Sequence, residues 1–333
     1  MTAQPLDLLC LGNAIVDVLA PVDDTFLAAR GIVKGGMNLI DEGQAEALYG
    51  AMGSTTVVSG GSAANTAVGA AMLGAAAGFV GKVRDDEVGG FFTRDLRSTG
   101  VAFATSPAAE GPVTARSYIL VTPDGQRTMN TYLGACQNLT VADIDPALVA
   151  SAGVSYLEGY LWDPAHAKDA FRKASELAHA AGRRVALSLS DSFCVGRYRD
   201  EFLDLVRSKK VDIVFANEAE ILALYETEDF DRAVSALRGD CALAAVTRGP
   251  DGAVVVEPSG VRAVPAFPVA AVVDSTGAGD LFAAGFLAGL ARGRDPRDCA
   301  RLGTLAAAEI IGHVGARPVA DLAALARAEG FAG

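Results

Sequence analysis

Short apolar runs recur at 154–158, 185–189, 213–215, 243–247 and 253–256, and their spacing leaves this chain few folds to choose from. Between the first four lie stretches of helical length and composition, such as 165–181 and 200–208. Strand–helix–strand alternation predicts a mostly parallel sheet with helices on both faces. Sheets of that kind bind ligands beyond the carboxyl ends of their strands. Asn13, Gly60, Asp191, Asn217, Thr247 and Gly277 each fall at or just after an expected strand, so a single crevice can collect them.

The first half of the chain is less regular. An expected strand at 8–11 runs into Gly12-Asn13, then Ala14-Ile15-Val16 before Asp17. Asn13 and Asp17 read either as a turn residue and an exposed acid or as polar tips on a buried strand. Residues 21–53 are short, amphipathic pieces broken by Gly31, Gly35 and Gly36, consistent with a flap or minor sheet and then a helix at 42–49. Gly60-Gly61 ends a strand, and the Ala-rich helix after it carries Gly69, small enough to let a neighbour pack close. A strand at 79–83 and a helix from Asp85 to Gly100 follow. Pro123-Asp124-Gly125 separates two alternating runs, 116–121 and 127–132, which is the pattern of a hairpin. An antiparallel hairpin in a β-α-β chain points to a small lid sheet.

The most distinctive stretch is Asp274-Ser275-Thr276-Gly277-Ala278-Gly279-Asp280. The β-branched run at 269–273 predicts a buried strand leading into it, and 281–290 predicts a buried helix leaving it. Glycines at a helix start leave backbone N–H groups open, and the helix dipole favours an anion there. Asp280 places a carboxylate among those donors. Either it caps the helix, or it removes a proton from a hydroxyl that attacks a phosphoryl group.

Composition excludes several classes. A net charge of −12 argues against nucleic acid or an anionic membrane as the main partner. Hydrophobic residues make up 51% of the chain, enough for a sizeable core, yet no apolar run approaches the ~20 residues of a membrane span. Asp7 and Asp17 interrupt the first apolar stretch, so no signal peptide is expected. The five scattered cysteines contain no C-x-x-C pair and read as reduced thiols in a cytoplasmic protein. His166, His179 and His313 lack metal-ligand spacing. Neither a P-loop nor a G-x-G-x-x-G fingerprint is present.

Two further motifs follow strands. Asn217-Glu218-Ala219-Glu220 reads as a helix capping box and, compatibly, as a phosphate donor followed by a carboxylate that holds magnesium through water. Thr247-Arg248-Gly249-Pro250-Asp251-Gly252 is either a plain turn or a seat for a nucleotide's phosphates or sugar.

With Gly60-Gly61-x-x-x-Asn65, Asn217-x-x-Glu220 and the 274–280 motif in this order, the chain resembles the ribokinase-like (PfkB) sugar and nucleoside kinase family over nearly its full length. The resemblance implies a single domain over 1–333: a three-layer α/β/α fold with a mostly parallel central sheet, and a small β lid from parts of 14–56 and 112–135. It implies ATP as donor and Mg²⁺ as cofactor. By the same resemblance Asp280 is the catalytic base and Gly277, Ala278 and Gly279 form the anion hole. Asn13, Asp17, Gly60, Gly61 and Asn65 match positions that grip a sugar.

Several stretches are similar to the adenosine kinase branch. These are Gly12-Asn13-x-x-x-Asp17, the lid Arg127 as a phosphate contact, Tyr132-Leu133-Gly134-Ala135, the flap around Met37, and Phe193 as a ring that stacks on a base. Thr247, Gly249, Gly252 and Thr304 fall on the nucleotide side with Asn217. Asp274, Thr276 and Gly315 match positions that hold a monovalent cation, potassium, in some members. The expectation is phosphorylation of a primary hydroxyl, adenosine to AMP, with a sugar kinase for ribose, fructose or a related ketose as the alternative. A nucleoside-binding protein without catalysis is a third reading. The partners expected are a small-molecule substrate and ATP, with the chain a monomer or homodimer.

Overall fold

The structure, a computed structural model, describes residues 5–331. In chain order the elements begin with β1 (Leu6–Leu11), β2 (Ile15–Pro21), α1 (Asp24–Ala28), β3 (Met37–Leu39), α2 (Glu42–Ala51) and β4 (Thr56–Gly60). Next come α3 (Ser62–Met72), β5 (Ala77–Val80), α4 (Glu87–Ser98), β6 (Ala102–Phe103), and the hairpin β7 (Ala115–Val121) and β8 (Arg127–Tyr132). The strand–helix alternation then runs α5 (Pro146–Ser151), β9 (Ala152–Glu158), α6 (Ala165–Ala180), β10 (Arg184–Ser188), α7 (Ser192–Arg207), β11 (Ile213–Asn217), α8 (Glu218–Tyr225), α9 (Phe230–Asp240) and β12 (Leu243–Thr247). The chain finishes with β13 (Ala253–Glu257), β14 (Gly260–Val264), α10 (Ala278–Ala291), α11 (Pro296–Ile310) and α12 (Leu322–Ala328).

Nine strands form the main sheet in the order β14-β13-β12-β11-β10-β9-β1-β5-β6. From β12 to β6 every pairing is parallel; only β13 and β14 join antiparallel at one edge. Side chains alternate across this sheet, as a period of two requires. On β1, Leu8 and Cys10 face the apolar layer that holds α3, α10 and α11, while Leu9 and Leu11 face the layer that holds α6 to α9. The expected helix-covered parallel sheet is therefore what forms.

The strand order reverses at β1: from there the chain builds outward to β5 and β6, then returns to β9 on the other side. Ligands in open α/β sheets sit at such a reversal. Over the carboxyl ends of the strands stands a smaller five-stranded sheet, β3-β8-β7-β2-β4. The hairpin read from Asp124-Gly125 is its centre, with β7 and β8 antiparallel.

One expected strand does not form. Residues 269–273 are irregular, with Val272 63% exposed. Pro265 and Pro268 precede the run and lack the N–H that a ladder needs, and β14, unforeseen in the sequence, already occupies the edge beside β13. A β-branched run without an edge to pair with stays a loop.

Candidate active site

A cleft of about 820 Å³ opens between the smaller sheet and the carboxyl ends of the main strands. Asp280 sits at its centre, on the first turn of α10. Gly277, the residue before that helix, has φ +80°, a left-handed backbone that favours glycine, and a Cβ there would lie 3.2 Å from Ala316. The chain can thus turn sharply into the helix; the Ala278 N–H, expected in the anion hole, is instead donated to the Ser275 carbonyl at 3.2 Å. Gly277 and Gly279 N–H find no backbone acceptor among the described residues, which suits an anion.

α3 meets α10 head to head. The Asp280 carboxylate accepts from Ser62 Oγ at 2.6 Å and from Asn65 Nδ2 at 3.0 Å, and Thr66 Oγ1 donates to the Asp280 carbonyl at 3.2 Å. Burial pushes the Asp280 pKa up, while the Ser62 and Asn65 bonds and the Arg317 charge pull the other way. Gly61, which precedes α3, has φ +98°, and a Cβ there would fall 2.1 Å from the Asn13 carbonyl. Only glycine allows so close an approach of the two segments.

Across the sheet's reversal point, Glu158 at the end of β9 binds both flanking segments. It accepts from Asn13 Nδ2 at 2.7 Å and from Ala63 N at 2.8 Å. Its burial raises its pKa to about 7 against those bonds. Asp17 faces the cleft from β2, its pKa raised by burial to about 6 despite Arg317 and Arg127 nearby. Gly60 leaves it room: a Cβ there would be 2.3 Å from Asp17 Oδ2. With their amide nitrogens engaged, Asn13 Oδ1 and Asn65 Oδ1 are buried with no hydrogen-bond partner among the described residues. Two orphan acceptors beside two carboxylates make a site for hydroxyl donors.

Asn217 and Glu220 line the far end of the cleft, and the capping-box alternative is the geometry found. Asn217 Oδ1 accepts from Glu220 N at 2.9 Å, while Glu220 accepts from Asn217 N and Nδ2 at 2.9 and 2.6 Å. Burial lifts the Glu220 pKa to about 7. Asn217 occupies one lone pair on each Glu220 oxygen, so a magnesium ion held here would be reached by a water on the remaining lone pairs.

The remaining expected residues divide. Met37, Leu133, Phe193, Thr247 and Thr276 line the cleft. Phe193 stands 80% exposed at its mouth. Gly249 and Gly252 shape the turn after β12 instead; a Cβ on Gly252 would strike the Val264 carbonyl at 2.1 Å. Thr304 lies within α11, buried, with its hydroxyl on the Arg301 carbonyl. Arg127 is paired with Asp274, whose carboxylate also accepts from Thr276 N and Gly315 N.

Ser62, Glu158, Tyr160 and Arg317 belong to the site without having been singled out. Tyr160 lines the cleft and donates to the Ser190 carbonyl, at a residue held at φ +71°. Arg317 is partly buried and donates to the carbonyls of Ser59 and Ala64, on either side of Gly60-Gly61; burial lowers its pKa to about 10. A strand-terminal Glu was the one available signal, at Glu158; nothing local marks Arg317.

Three comparisons bear on this site. The pfkB family carbohydrate kinase profile matches residues 25–322. A probable sugar kinase from Rhizobium etli CFN 42 has a similar structure, TM-score 0.93, 50% identical, covering 99% of this chain and 100% of that one. Adenosine kinase from Sinorhizobium meliloti superposes with TM-score 0.91 at 56% identity, covering 98% and 99%. An ATP-dependent ribose-1-phosphate kinase from Halopiger xanaduensis is 34% identical over 280 residues, 82% of this chain and 87% of that protein.

Proposed function

The chain belongs to the pfkB family of carbohydrate kinases and is an ATP-dependent kinase, and from that premise we propose that its acceptor is the 5′-hydroxyl of a nucleoside, adenosine in particular. The observation that carries the reading is Asp280, aimed by Ser62 and Asn65 into a cleft whose opposite wall offers Asp17 and Asn13 to a sugar.

In this mechanism Asp17 and Asn13 Oδ1 accept from the ribose hydroxyls and hold the primary alcohol against Asp280. Asp280 takes its proton as the oxygen attacks the γ-phosphorus of ATP, and the bond from that phosphorus to the bridging β-phosphate oxygen breaks, so ADP leaves with the electron pair. The open N–H groups at Gly277 and Gly279 stabilise the charge that builds on the transferring oxygens. Glu220 would hold a magnesium ion through water, and that ion would supply further charge neutralisation. The smaller sheet covers the acceptor, which keeps water from competing for the phosphoryl group.

Ile15, Met37, Leu39, Ile119, Met129 and Leu133 give that sheet an apolar wall. A flat purine uses such a wall, and a free sugar leaves it idle. Adenosine is also what the 56%-identical kinase is named for. A second reading, a sugar or sugar-phosphate kinase, draws on the relatives named for sugar kinase and ribose-1-phosphate kinase.

Purified protein tested with ATP against adenosine, cytidine, ribose, ribose 1-phosphate and fructose separates the two. Adenosine is expected to give the highest kcat/KM; turnover confined to a sugar rejects the nucleoside proposal. Asp280→Asn is expected to lower kcat by roughly 10²- to 10⁴-fold with little change in acceptor KM. A variant with near-normal kcat removes Asp280 from the role of base.

A further inference from the structure

Asp274 opens the loop that carries the anion-binding N–H groups, and its carboxylate is the knot of that loop. Oδ1 accepts from Thr276 N at 3.0 Å, within the loop itself. Oδ2 accepts from Gly315 N at 2.9 Å, on the segment whose Ala316 packs against Gly277. Arg127, at the start of β8 in the smaller sheet, closes the set with an ion pair. The two side chains are 7% and 5% exposed, so solvent screens this pair little.

Every group that the structure places on the Asp274 carboxylate is therefore a donor. A monovalent cation would need oxygen acceptors around it and a carboxylate with lone pairs turned toward it. Thr276 and Gly315 turn N–H groups toward Asp274, and the positive charge already present is a guanidinium. The residues do not fit a potassium ion at this carboxylate.

We infer that Arg127 is a built-in counter-ion: it holds the Asp274 loop, and with it the anion hole, in working shape, so this kinase has no requirement for a monovalent cation. Arg127 is here a positioning residue. It acts through Asp274, and it makes the loop's order depend on the smaller sheet being seated. Its Nε is buried with no hydrogen-bond partner among the described residues. The inference rests on the kinase reading but not on which acceptor is used.

The test compares the desalted full chain in potassium, sodium and tetramethylammonium chloride at one ionic strength, by ATP turnover with its best acceptor and by melting temperature. Rates within about twofold and equal melting temperatures in the three salts are expected. Stimulation by potassium of roughly tenfold or more over tetramethylammonium overturns the inference. Arg127→Met, which keeps bulk without charge, is expected to lose at least about tenfold in kcat, and Arg127→Lys to recover part of it. A folded Arg127→Met with unchanged kcat also overturns it. If no acceptor tried is phosphorylated, the acceptor proposal fails while the melting comparison still decides: selective stabilisation by potassium places a cation where Arg127 was assigned.

Discussion

At Glu158 a single carboxylate holds the end of one segment and the start of another, and it does so in a site poor in water. Burial raises its folded-state pKa from 4.5 to about 7, although two amide partners favour the charged form. The folded protein thus binds this proton more tightly than the unfolded chain does. Stability from the group is fully present below about pH 4.5 and is lost as pH rises through about 7. Glu158→Gln carries no titrating proton. Its melting temperature relative to the parent is expected to rise between pH 5 and pH 8, by the equivalent of up to about 3 kcal/mol. A difference that stays flat across this range shows that Glu158 does not titrate there. The same residue marks the limit of sequence reading. Asp280, Asn65, Asn13 and Asn217 were legible because each lies at a strand-to-helix or strand-to-strand junction. Glu158 meets Asn13 across 145 positions, Ser62 meets Asp280 across 218, and Arg317 meets Ser59 across 258. Such pairings follow from the order of strands in the sheet and leave no local trace in the chain.

Among elements, the contact of α3 with α10 sets the geometry of the base. Both helices start at the cleft and run away from it, so their mutual distance fixes how Ser62 and Asn65 reach Asp280. Gly69 is the close point. A Cβ there would meet Leu281 Cδ1 at 2.5 Å and Ala284 Cβ at 2.8 Å. The leucine end can swing aside; the alanine cannot without moving its helix. Gly69→Ala gains about 1 kcal/mol in helix propensity and is expected to lose about 1–3 kcal/mol to overpacking. Its melting temperature should drop, and kcat should fall more than KM rises, because the helix ends part before the sugar contacts do. Unchanged kcat with a lowered melting temperature would separate packing from alignment. The small-residue helix was readable from its alanines and Gly69, and the hairpin from Asp124-Gly125. The loop at 269–273 was misread because β-branched composition says what suits a strand, not whether a partner edge is free.

Across the whole molecule, the smaller sheet is built from two separated stretches of the chain, 15–60 and 115–132, and it does not have a core of its own. Val16 and Val18 of β2, Tyr118 and Leu120 of β7 and Leu48 of α2 belong to the same apolar cluster as Leu281 and Phe286 of α10. On that continuity we propose that the described residues form one folding unit with a covering sheet. The continuity also restrains the sheet: it can shift over the cleft only as far as the shared cluster tolerates, and Arg127 adds a tie to the Asp274 loop. The single tryptophan offers a test. Trp162 is fully buried in the other cluster, on the opposite face of the main sheet, packed near Phe171 and Phe202. Its fluorescence in urea reports that far core, while hydrogen exchange at 115–132 in the same urea series reports the smaller sheet. One shared midpoint is expected, since loss of the small sheet would strip the cover from apolar side chains of the common cluster. If exchange at 115–132 rises while Trp162 keeps its native emission, the smaller sheet opens independently, and the shared cluster is too weak a link to couple it to the body.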